Sequence, residues 1–363
     1  MKVLWLSPNL NHYKARFLDK LNSEFDLEIT VLAGTGNKEM GYVDSEAAAS
    51  YRLIQLNVRK PDFGFSGVVR KQLRKIYADF DWILIPKENK NLLLFLYAFA
   101  LKYTTGKKIR LISYNHHLVT SGPRKTSWFN RIMTRFYYSL YDRIVFYTLR
   151  GRDEMVNQKL IRPEVAFGAN NTIDTEAIQR VYNFTYPEKK EPTILFIGRL
   201  IPSKYVNVCI DYYFKLKARS GLQKLKLIIV GDGPDAFHVK AALAKDPTIE
   251  WKGAVIDEEQ IQSFMTRASL VFVPGASGLS INHAFCYGRP YFTLSEALHG
   301  PELAYIDNGK NGFILGRDEN QNIKTIEGFL LNFEHDYYDQ AFETGKKLSV
   351  EHWCRQFYAA LTN

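Results

Sequence analysis

Short apolar runs alternate with longer amphipathic stretches along most of this 363-residue chain. Parallel strands need crossover connections of about a dozen residues or more, usually helices, so the alternation predicts parallel sheets joined by right-handed helical crossovers. Seven strands are predicted in the first half, over 2–8, 26–34, 51–58, 81–87, 109–115, 143–148 and 164–170. After a Pro- and charge-rich segment at 183–192, six more are predicted, over 193–199, 225–231, 249–254, 270–275, 290–294 and 312–315.

The length and the restart of the pattern together predict two domains, because a single core stops growing at roughly 250–300 residues. We expect an α/β protein with two Rossmann-like, doubly wound parallel-sheet domains facing a cleft. The first spans 1–186 and the second 187–340, and a helical segment over 341–363 packs back across the domains. Doubly wound sheets bind ligands at the carboxyl ends of their strands, so the cleft is the expected site.

Positive charge is concentrated in the first half. The net charge is +10, and residues 51–150 hold 19 Lys and Arg against 5 Asp and Glu. Two segments there, 64–80 and 126–142, have the spacing of amphipathic helices, the first with four basic residues on one face and the second with a wide aromatic face. An ordinary solvated surface and attraction to anionic lipid both remain open. Zinc spacing, RNA-binding aromatics and a helix-turn-helix pattern are absent from the sequence, so nucleic acid is not an expected partner.

The chain shows no export or membrane-spanning signal. Its longest apolar run, 92–101, is about half of what a transmembrane helix needs, and the start lacks the apolar region of a signal peptide. The cysteines, Cys209, Cys286 and Cys354, are odd in number and widely spaced, which favours reduced thiols. These features predict a cytoplasmic protein, and the basic, aromatic first half predicts a peripheral position at the inner face of the membrane.

Several strands of the second half end in glycine before a helix, where backbone amides and the helix dipole can hold an anion. In GRLIPSK (198–204), Gly198 allows close approach of a ligand, while Arg199 and Lys204 could neutralise a pyrophosphate. In PGASGLSINHAFCYGRP (274–290), a helix N-terminus is expected at Gly278, Leu279 and Ser280, with His283 on its first turn. The other candidate donor-binding glycines are Gly231 and Gly233 in GDGP (231–234) and Gly253 at the end of 249–254.

These motifs, followed by GPELAYIDNGKNGFIL (300–315), resemble the donor-binding half of family-4 retaining glycosyltransferases of the GT-B fold. The first half agrees, because 146–178 looks like the family segment that leads to an N-x-x-D-T motif, here 171–175. The resemblance implies transfer of a sugar from a UDP- or GDP-linked donor to a hydroxyl, with retention of anomeric configuration and without a cofactor or a metal ion. One departure concerns two family glutamates, eight residues apart, whose positions fall on Gly275 and His283.

Roles follow from the turns and from this resemblance. Arg199 and Lys204 are expected to stabilise the leaving diphosphate. His283 is expected near the ribose and His116, after the strand 109–115, near the donor sugar. The expected acceptor contacts are Asn9, Tyr13, Arg16 and His117.

The leading hypothesis is a transferase that extends a surface polysaccharide on a lipid-linked acceptor. Its expected partners are a nucleotide-sugar, a glycan or lipid-linked oligosaccharide, and an anionic membrane surface. Two alternatives remain: a nucleotide-sugar epimerase of the same fold, and a non-catalytic nucleotide-sugar-binding homologue, which the missing glutamate pair favours.

Overall fold

The computed structural model describes residues 1–8, 10, 12–35, 50–104, 108–116 and 128–363. The chain divides into two compact units, the first made of residues 1–170 and 351–363 and the second of residues 171–350. The second unit therefore begins before the segment 183–192 at which the sequence places the boundary, and nearly all of the last helix belongs to the first unit.

The described residues of the first unit form a seven-stranded parallel sheet in the order β3-β2-β1-β4-β5-β6-β7. The strands are β1 (Lys2–Ser7), β2 (Glu28–Thr35), β3 (Arg52–Arg59), β4 (Trp82–Leu84), β5 (Arg110–Asn115), β6 (Arg143–Phe146) and β7 (Ala166–Gly168). The helices are α1 (His12–Glu24), α2 (Gly67–Ile76), α3 (Leu92–Leu101), α4 (Trp128–Ser139) and α5 (Leu149–Asn157). In the register of the central strands, Val3 of β1 lies opposite Ile29 and Trp82.

The second unit contains a six-stranded parallel sheet in the order β10-β9-β8-β11-β12-β13 within the described residues. The strands are β8 (Thr193–Ile197), β9 (Lys226–Val230), β10 (Glu250–Trp251), β11 (Leu270–Phe272), β12 (Tyr291–Leu294) and β13 (Gly312–Leu315). The helices are α6 (Thr175–Val181), α7 (Val206–Lys217), α8 (Ala236–Lys245), α9 (Glu258–Arg267), α10 (Leu279–Cys286), α11 (Glu319–Asn332) and α12 (His335–Lys347). The predicted α/β class and all thirteen predicted strands are confirmed.

The strands form because their apolar runs are buried on both faces, as expected for parallel sheets covered by helices. Every residue of β8 is buried, and so is every residue of β11. Side-chain caps fix where helices begin: the hydroxyl of Ser66 accepts from the amides of α2, and Asp174, the acidic residue of the N-x-x-D-T motif, caps α6.

The two amphipathic helices of the first unit differ in how they pack. Helix α2 buries Val69 and Leu73 and exposes its basic face. In α4, however, Tyr137 and Tyr138 are buried while most of the predicted apolar face is exposed. The exposed side chains of α4, called here the aromatic patch, are Trp128, Phe129, Ile132, Met133 and Phe136.

The last helix, α13 (Val350–Thr362), completes the core of the first unit. Its Trp353 stacks on Phe17 of α1 with ring centroids 4.6 Å apart and donates from Nε1 to the hydroxyl of Tyr114 at 2.8 Å. Within the described residues, no helix combines the length and the apolar character needed to cross a membrane.

Candidate functional site

The strand order of the second unit creates a switch point between β8 and β11, because the connections from these adjacent strands run toward opposite edges of the sheet. The segments that follow both strands contain the predicted glycine-rich turns. They are hydrogen-bonded to each other: the amide of Gly275 donates to the carbonyl of Lys204 at 3.1 Å, and that of Ala276 to the carbonyl of Ser203 at 2.7 Å. The structure thus joins two sequence motifs about seventy residues apart into one surface.

The side chain of Lys204 connects the turn after β8 to the turn after β11. Its Nζ donates to the carbonyl oxygen of Ala276 at 2.5 Å, so the half-buried ammonium is held beside the second turn. Burial, with a smaller contribution from the charge of Arg199, lowers the pKa of Lys204 from 10.5 to about 8. Arg199 itself is exposed. The next residue, Tyr205, has a φ of 56°, a left-handed conformation that is costly for a residue with a Cβ and that marks strain at this turn.

The glycines of the GDGP turn are required by packing. Gly231 has a φ of 146°, and a Cβ there would lie 1.9 Å from the carbonyl oxygen of Gly198. Gly233 has a φ of 151°, and its Cβ would lie 2.4 Å from the carbonyl oxygen of Leu200. These glycines let the segments after β8 and β9 touch; their predicted contact with a donor, and that of Gly253, stay predictions.

The position of the first family glutamate is closed to any side chain in this protein. A Cβ on Gly275 would lie 2.2 Å from the carbonyl oxygen of Ser203 and 2.6 Å from the Cα of Lys204. A glutamate at this position would require the backbone of the first turn to move. The two turns therefore pack against each other at Gly275 without room for a side chain.

Helix α10 begins where the sequence predicts. Gly278 is its N-cap, and no side chain caps the helix. In the described part of the chain, no acceptor takes a hydrogen bond from the amides of Gly278, Leu279 or Ser280. The positive end of the helix therefore presents amide donors at the predicted anion site.

Sequence reasoning missed two residues that brace this turn. His299 accepts from the amide of Ser277 at Nδ1 (3.2 Å), and its Nε2 lies 2.7 Å from the carbonyl of Leu294, which places the ring proton on Nε2. Burial lowers the pKa of His299, with a smaller contribution from Lys204, and favours this neutral form. A histidine in a loop carries no sequence signal for such a role.

The second missed residue is Glu302, a buried carboxyl behind the start of α10. It accepts from Nδ2 of Asn171 at 2.7 Å, and burial raises its pKa. The carbonyl of Asn171 in turn accepts from Nδ2 of Asn282 at 2.9 Å and from the hydroxyl of Tyr305 at 3.1 Å. The only sequence signals were that Asn171 opens the N-x-x-D-T motif and that Glu302 lies in 300–315.

His283 has a carboxylate partner that sequence reasoning also missed. Its Nε2 lies 2.8 Å from Oε1 of Glu258 on α9, and the Tyr287 hydroxyl donates to the same oxygen at 2.6 Å. Burial alone would raise the pKa of Glu258, but the hydrogen bond and charge of His283 outweigh it, so the pKa lies below its usual value. A carboxylate is thus present beside His283, supplied by another helix.

The candidate residues of the first unit are described only in part. His116 follows β5, is exposed, and accepts at its carbonyl from Nδ2 of Asn115 at 2.8 Å. Arg16 lies half-buried on α1. Asn9 and His117 lie outside the described residues, as does the side chain of Tyr13. The roles of these residues toward a sugar or an acceptor stay predictions.

Among the residues that the structure describes, no group of three or more His, Cys, Asp and Glu side chains is arranged to hold a metal ion. Lys204 and Arg199 supply positive charge after β8 at the switch point of the second unit.

Comparison with known proteins agrees with this architecture. Residues 191–332 match the family model described as glycosyl transferases group 1. No curated protein matches the chain significantly.

Among solved structures, the chain is similar to the lipopolysaccharide outer core galactosyltransferase WaaB in its apo form, with a TM-score of 0.71, 14% identity, and 100% of this chain and 99% of that chain covered. It is similar to Anabaena Alr3699/HepE in complex with UDP, with a TM-score of 0.68, 15% identity and 100% of both chains covered. It is also similar to sucrose-phosphate synthase from Thermosynechococcus elongatus, with a TM-score of 0.69 and 13% identity, and the alignment covers 100% of this chain and 98% of that chain. The chain therefore has the GT-B fold, and its second unit contains the region that matches glycosyl transferases group 1.

Proposed function

We propose that this protein is a retaining glycosyltransferase that moves a sugar from a UDP- or GDP-linked donor to a hydroxyl of a lipid-linked glycan during surface polysaccharide synthesis. The observation that carries the proposal is the junction of the turns after β8 and β11. It brings the Lys204 ammonium to the segment that leads into the uncapped start of α10.

Cleavage of the bond between the sugar and the nucleotide requires positive groups near the leaving diphosphate. When the bond from the sugar to the nucleotide breaks, negative charge grows on the leaving diphosphate, and only groups that bind this charge more strongly in the transition state accelerate the step. Lys204 and Arg199 supply cations, and the amides of Gly278, Leu279 and Ser280 supply fixed dipoles. We propose that these groups supply the stabilisation of the leaving diphosphate and that transfer needs neither a metal nor a cofactor.

The ligands of structurally similar proteins support the choice of donor and acceptor. Alr3699/HepE was crystallised with UDP, with UDP-glucose, and with UDP and glucose. A TarM mutant, which aligns with a TM-score of 0.66 at 11% identity, was crystallised with UDP and α-GlcNAc-glycerol. A nucleotide-linked sugar and a glycan acceptor are therefore the first ligands to test.

A peripheral position at an anionic membrane is supported by two features of the first unit. Helix α2 exposes Lys71, Arg74 and Lys75, and the aromatic patch of α4 leaves Trp128 73% and Phe136 57% exposed. Basic residues near an anionic surface contribute about 1 kcal/mol each, and exposed aromatic residues favour the interface. Such a surface would hold the enzyme where a lipid-linked acceptor is found.

The test combines binding and product analysis. Calorimetry with UDP, GDP and their sugars identifies the nucleotide, and we expect Lys204→Met to weaken its binding while Lys190→Met, in the exposed segment between the strands of the two sheets, leaves binding unchanged. NMR of the product made with a glycan acceptor then reports whether the anomeric configuration is retained. An altered sugar nucleotide formed without acceptor would identify an epimerase, and binding without any reaction would identify a non-catalytic protein.

A further inference from the structure

Helices α9 and α10 begin at the same edge of the second sheet. Each follows a parallel strand, β10 and β11 respectively, so both starts lie at the carboxyl edge, where doubly wound sheets bind ligands. Glu258 is the first residue of α9, and His283 lies four residues after Leu279, the first residue of α10. At a helical rise of about 1.5 Å per residue, His283 lies about 6 Å along α10 from the amides proposed to bind the donor diphosphate.

His283 and Glu258 form a largely buried pair. Nε2 of His283 lies 2.8 Å from Oε1 of Glu258, and the two side chains are 16% and 22% exposed. The hydroxyl of Tyr287 donates to the same oxygen at 2.6 Å, and its ring centroid lies 5.7 Å from that of the imidazole. These hydrogen bonds compensate for the cost of burying a carboxylate and hold the imidazole in one orientation.

The pair determines which ring nitrogen of His283 carries a proton. Burial opposes ionisation of Glu258, but the hydrogen bond and charge of His283, together with the Tyr287 hydroxyl, keep the pKa of the carboxyl below its usual value. The carboxyl group is therefore ionised at neutral pH and can only accept hydrogen bonds. The proton between the two groups thus belongs to Nε2, whether the imidazole is neutral or charged.

The other ring nitrogen, Nδ1, is left free by this arrangement. It forms no hydrogen bond with any residue that the structure describes. It is also not one of the buried side-chain atoms that lack a partner in that part of the chain, so it is accessible from outside the protein. In the neutral imidazole with its proton on Nε2, Nδ1 is an acceptor, and a hydroxyl group is a donor that fits it.

We propose that Glu258 is a positioning residue that holds the proton of His283 on Nε2 and so directs Nδ1 to a hydroxyl group of the donor. The inference rests on the proposed transferase function, because it assumes a nucleotide-sugar whose diphosphate lies at the start of α10. Such a donor carries hydroxyl groups on both sides of its diphosphate, on the ribose and on the transferred sugar, and the two share this chemistry. His283 contacts the donor, and Glu258 acts only through His283.

An ion pair that served only to join α9 to α10 would behave differently. Its loss would destabilise the fold and weaken the binding of all donor ligands alike. Loss of a positioning residue weakens only the binding of ligands that carry the recognised hydroxyl group. The experiment therefore compares ligands that differ by one hydroxyl or by the sugar.

Calorimetry compares UDP with 2′-deoxy-UDP and 3′-deoxy-UDP, and UDP with UDP-glucose; the corresponding guanosine compounds take their place if the protein binds GDP instead. The full-length chain is measured as wild type and as His283→Ala. Glu258→Leu removes the acceptor, whereas Glu258→Gln keeps an acceptor oxygen without the charge. The matched control is Glu259→Gln, at the exposed next position of α9.

We expect the wild type and Glu259→Gln to bind UDP about threefold to tenfold more tightly than the form that lacks the recognised hydroxyl, which is the effect of one hydrogen bond. This preference should vanish in His283→Ala and Glu258→Leu and largely return in Glu258→Gln. If the variants instead lose only the added affinity of UDP-glucose over UDP, the hydroxyl belongs to the sugar. A Glu258→Leu protein with the wild-type preferences, or a wild type without any preference, would overturn the proposal.

Nitrogen-15 NMR of His283 gives a second measurement, which needs no Glu258 variant to fold. The His283 signals are assigned by their absence in His283→Ala, and the spectrum is recorded at a pH at which the imidazole is neutral. The wild type should carry the proton on Nε2, and Glu258→Leu should show a mixture of the two tautomers. A wild-type proton on Nδ1 would overturn the proposal.

Failure of this inference and failure of the proposed function give different results. A wild-type protein that binds no nucleotide would overturn both proposals. Nucleotide binding with the same hydroxyl preference in Glu258→Leu as in the wild type would reject the role of Glu258 and leave the transferase proposal standing.

Discussion

Replacing Lys204 with methionine tests the central assignment, because methionine keeps the apolar stem and removes the ammonium, that is, its charge and its hydrogen bond to the Ala276 carbonyl. The ammonium is half-buried, donates to the Ala276 carbonyl at 2.5 Å, and lies near the charge of Arg199. A fall of its pKa from 10.5 to about 8 corresponds to about 3 kcal/mol that disfavours the charged form in the empty site. A bound diphosphate would reverse this effect by providing an opposite charge.

The pH dependence follows from this linkage. Below pH 8 Lys204 is charged in the free protein, so nucleotide diphosphate affinity should be constant there. Above pH 8 the free protein loses the proton that the complex retains, so the Kd should rise by up to about tenfold per pH unit. Lys204→Met should bind more weakly at pH 7 and show no such rise. If that donor is lost from the transition state, kcat should fall by about 10²–10³.

The pH dependence of folding stability gives an independent check. Nucleotide binding should weaken as the pH rises, whereas the stability of the unliganded protein should increase. The unfolded chain holds the Lys204 proton up to pH 10.5, whereas the folded chain loses it near pH 8. The unfolded state therefore binds more protons between these values, and this group makes the unliganded protein more stable as the pH rises. Lys204→Met should abolish this increment, whereas Lys190→Met, at an exposed position, should retain it.

Calorimetric titration with UDP or GDP between pH 6.5 and 9.5, and urea unfolding over the same range, measure both effects. A wild-type Kd that does not change up to pH 9.5, or a Lys204→Met protein that binds and turns over like the wild type, would refute the assignment of Lys204 to the diphosphate.

Three further predictions concern packing, charge and the membrane. Gly275→Ala should destabilise the protein by about 1–3 kcal/mol in urea unfolding and weaken nucleotide binding, because its Cβ would lie 2.2 Å from a backbone oxygen. The control Gly328→Ala places its Cβ in open space on α11 and should be neutral or slightly stabilising. Glu258→Gln should lower the free energy of unfolding by about 1 kcal/mol at pH 7. Because a carboxylate with a lowered pKa stabilises the fold only while it is ionised, the wild type should lose stability as the pH falls below 4.5, and the variant should lose less. An equally steep loss of stability in both proteins would contradict this. Phe136→Ser should lower the affinity for anionic vesicles, measured by sedimentation, about tenfold. Phe237→Ser, at a similarly exposed position on α8, should leave this affinity unchanged. Equal effects of the two substitutions would exclude the aromatic patch as the membrane contact.

The fold was predictable because its main signal is local. Strands of a covered parallel sheet are continuous apolar runs, so segments such as 193–199 and 312–315 indicate strands without any knowledge of their neighbours. The ends of strands were less predictable. The segment 81–87 yields only Trp82–Leu84, because Pro86 cannot donate a ladder hydrogen bond and Lys87 turns toward Ser113.

The candidate site was predictable only where one segment supplies all its parts. The turn 198–204 and the start of α10 each carry their glycine and polar residues within a few positions, so both could be proposed from the sequence, and their contact with a donor stays a prediction. Glu258 contacts His283, 25 residues away along the chain, and His299 contacts Ser277, 22 residues away, so no local spacing in the sequence predicts these contacts. The exposure of the α4 apolar face was likewise not predictable, because helical periodicity shows that a face is apolar but not what covers it.

The two units have the same strand order around their switch points but differ in the groups they place there. The second unit presents backbone amides and two cations beside glycines that allow close approach, an arrangement suited to a ligand held through one rigid diphosphate. The first unit instead exposes the basic residues Lys71, Arg74 and Lys75 of α2 and the aromatic patch of α4. These basic residues contribute to the excess of 19 basic over 5 acidic residues in 51–150. Under the proposed function the uneven distribution of charge would separate two tasks: the second unit would bind one diphosphate with two cations and helix amides, whereas the first unit would use a broad basic and aromatic surface to approach an anionic membrane.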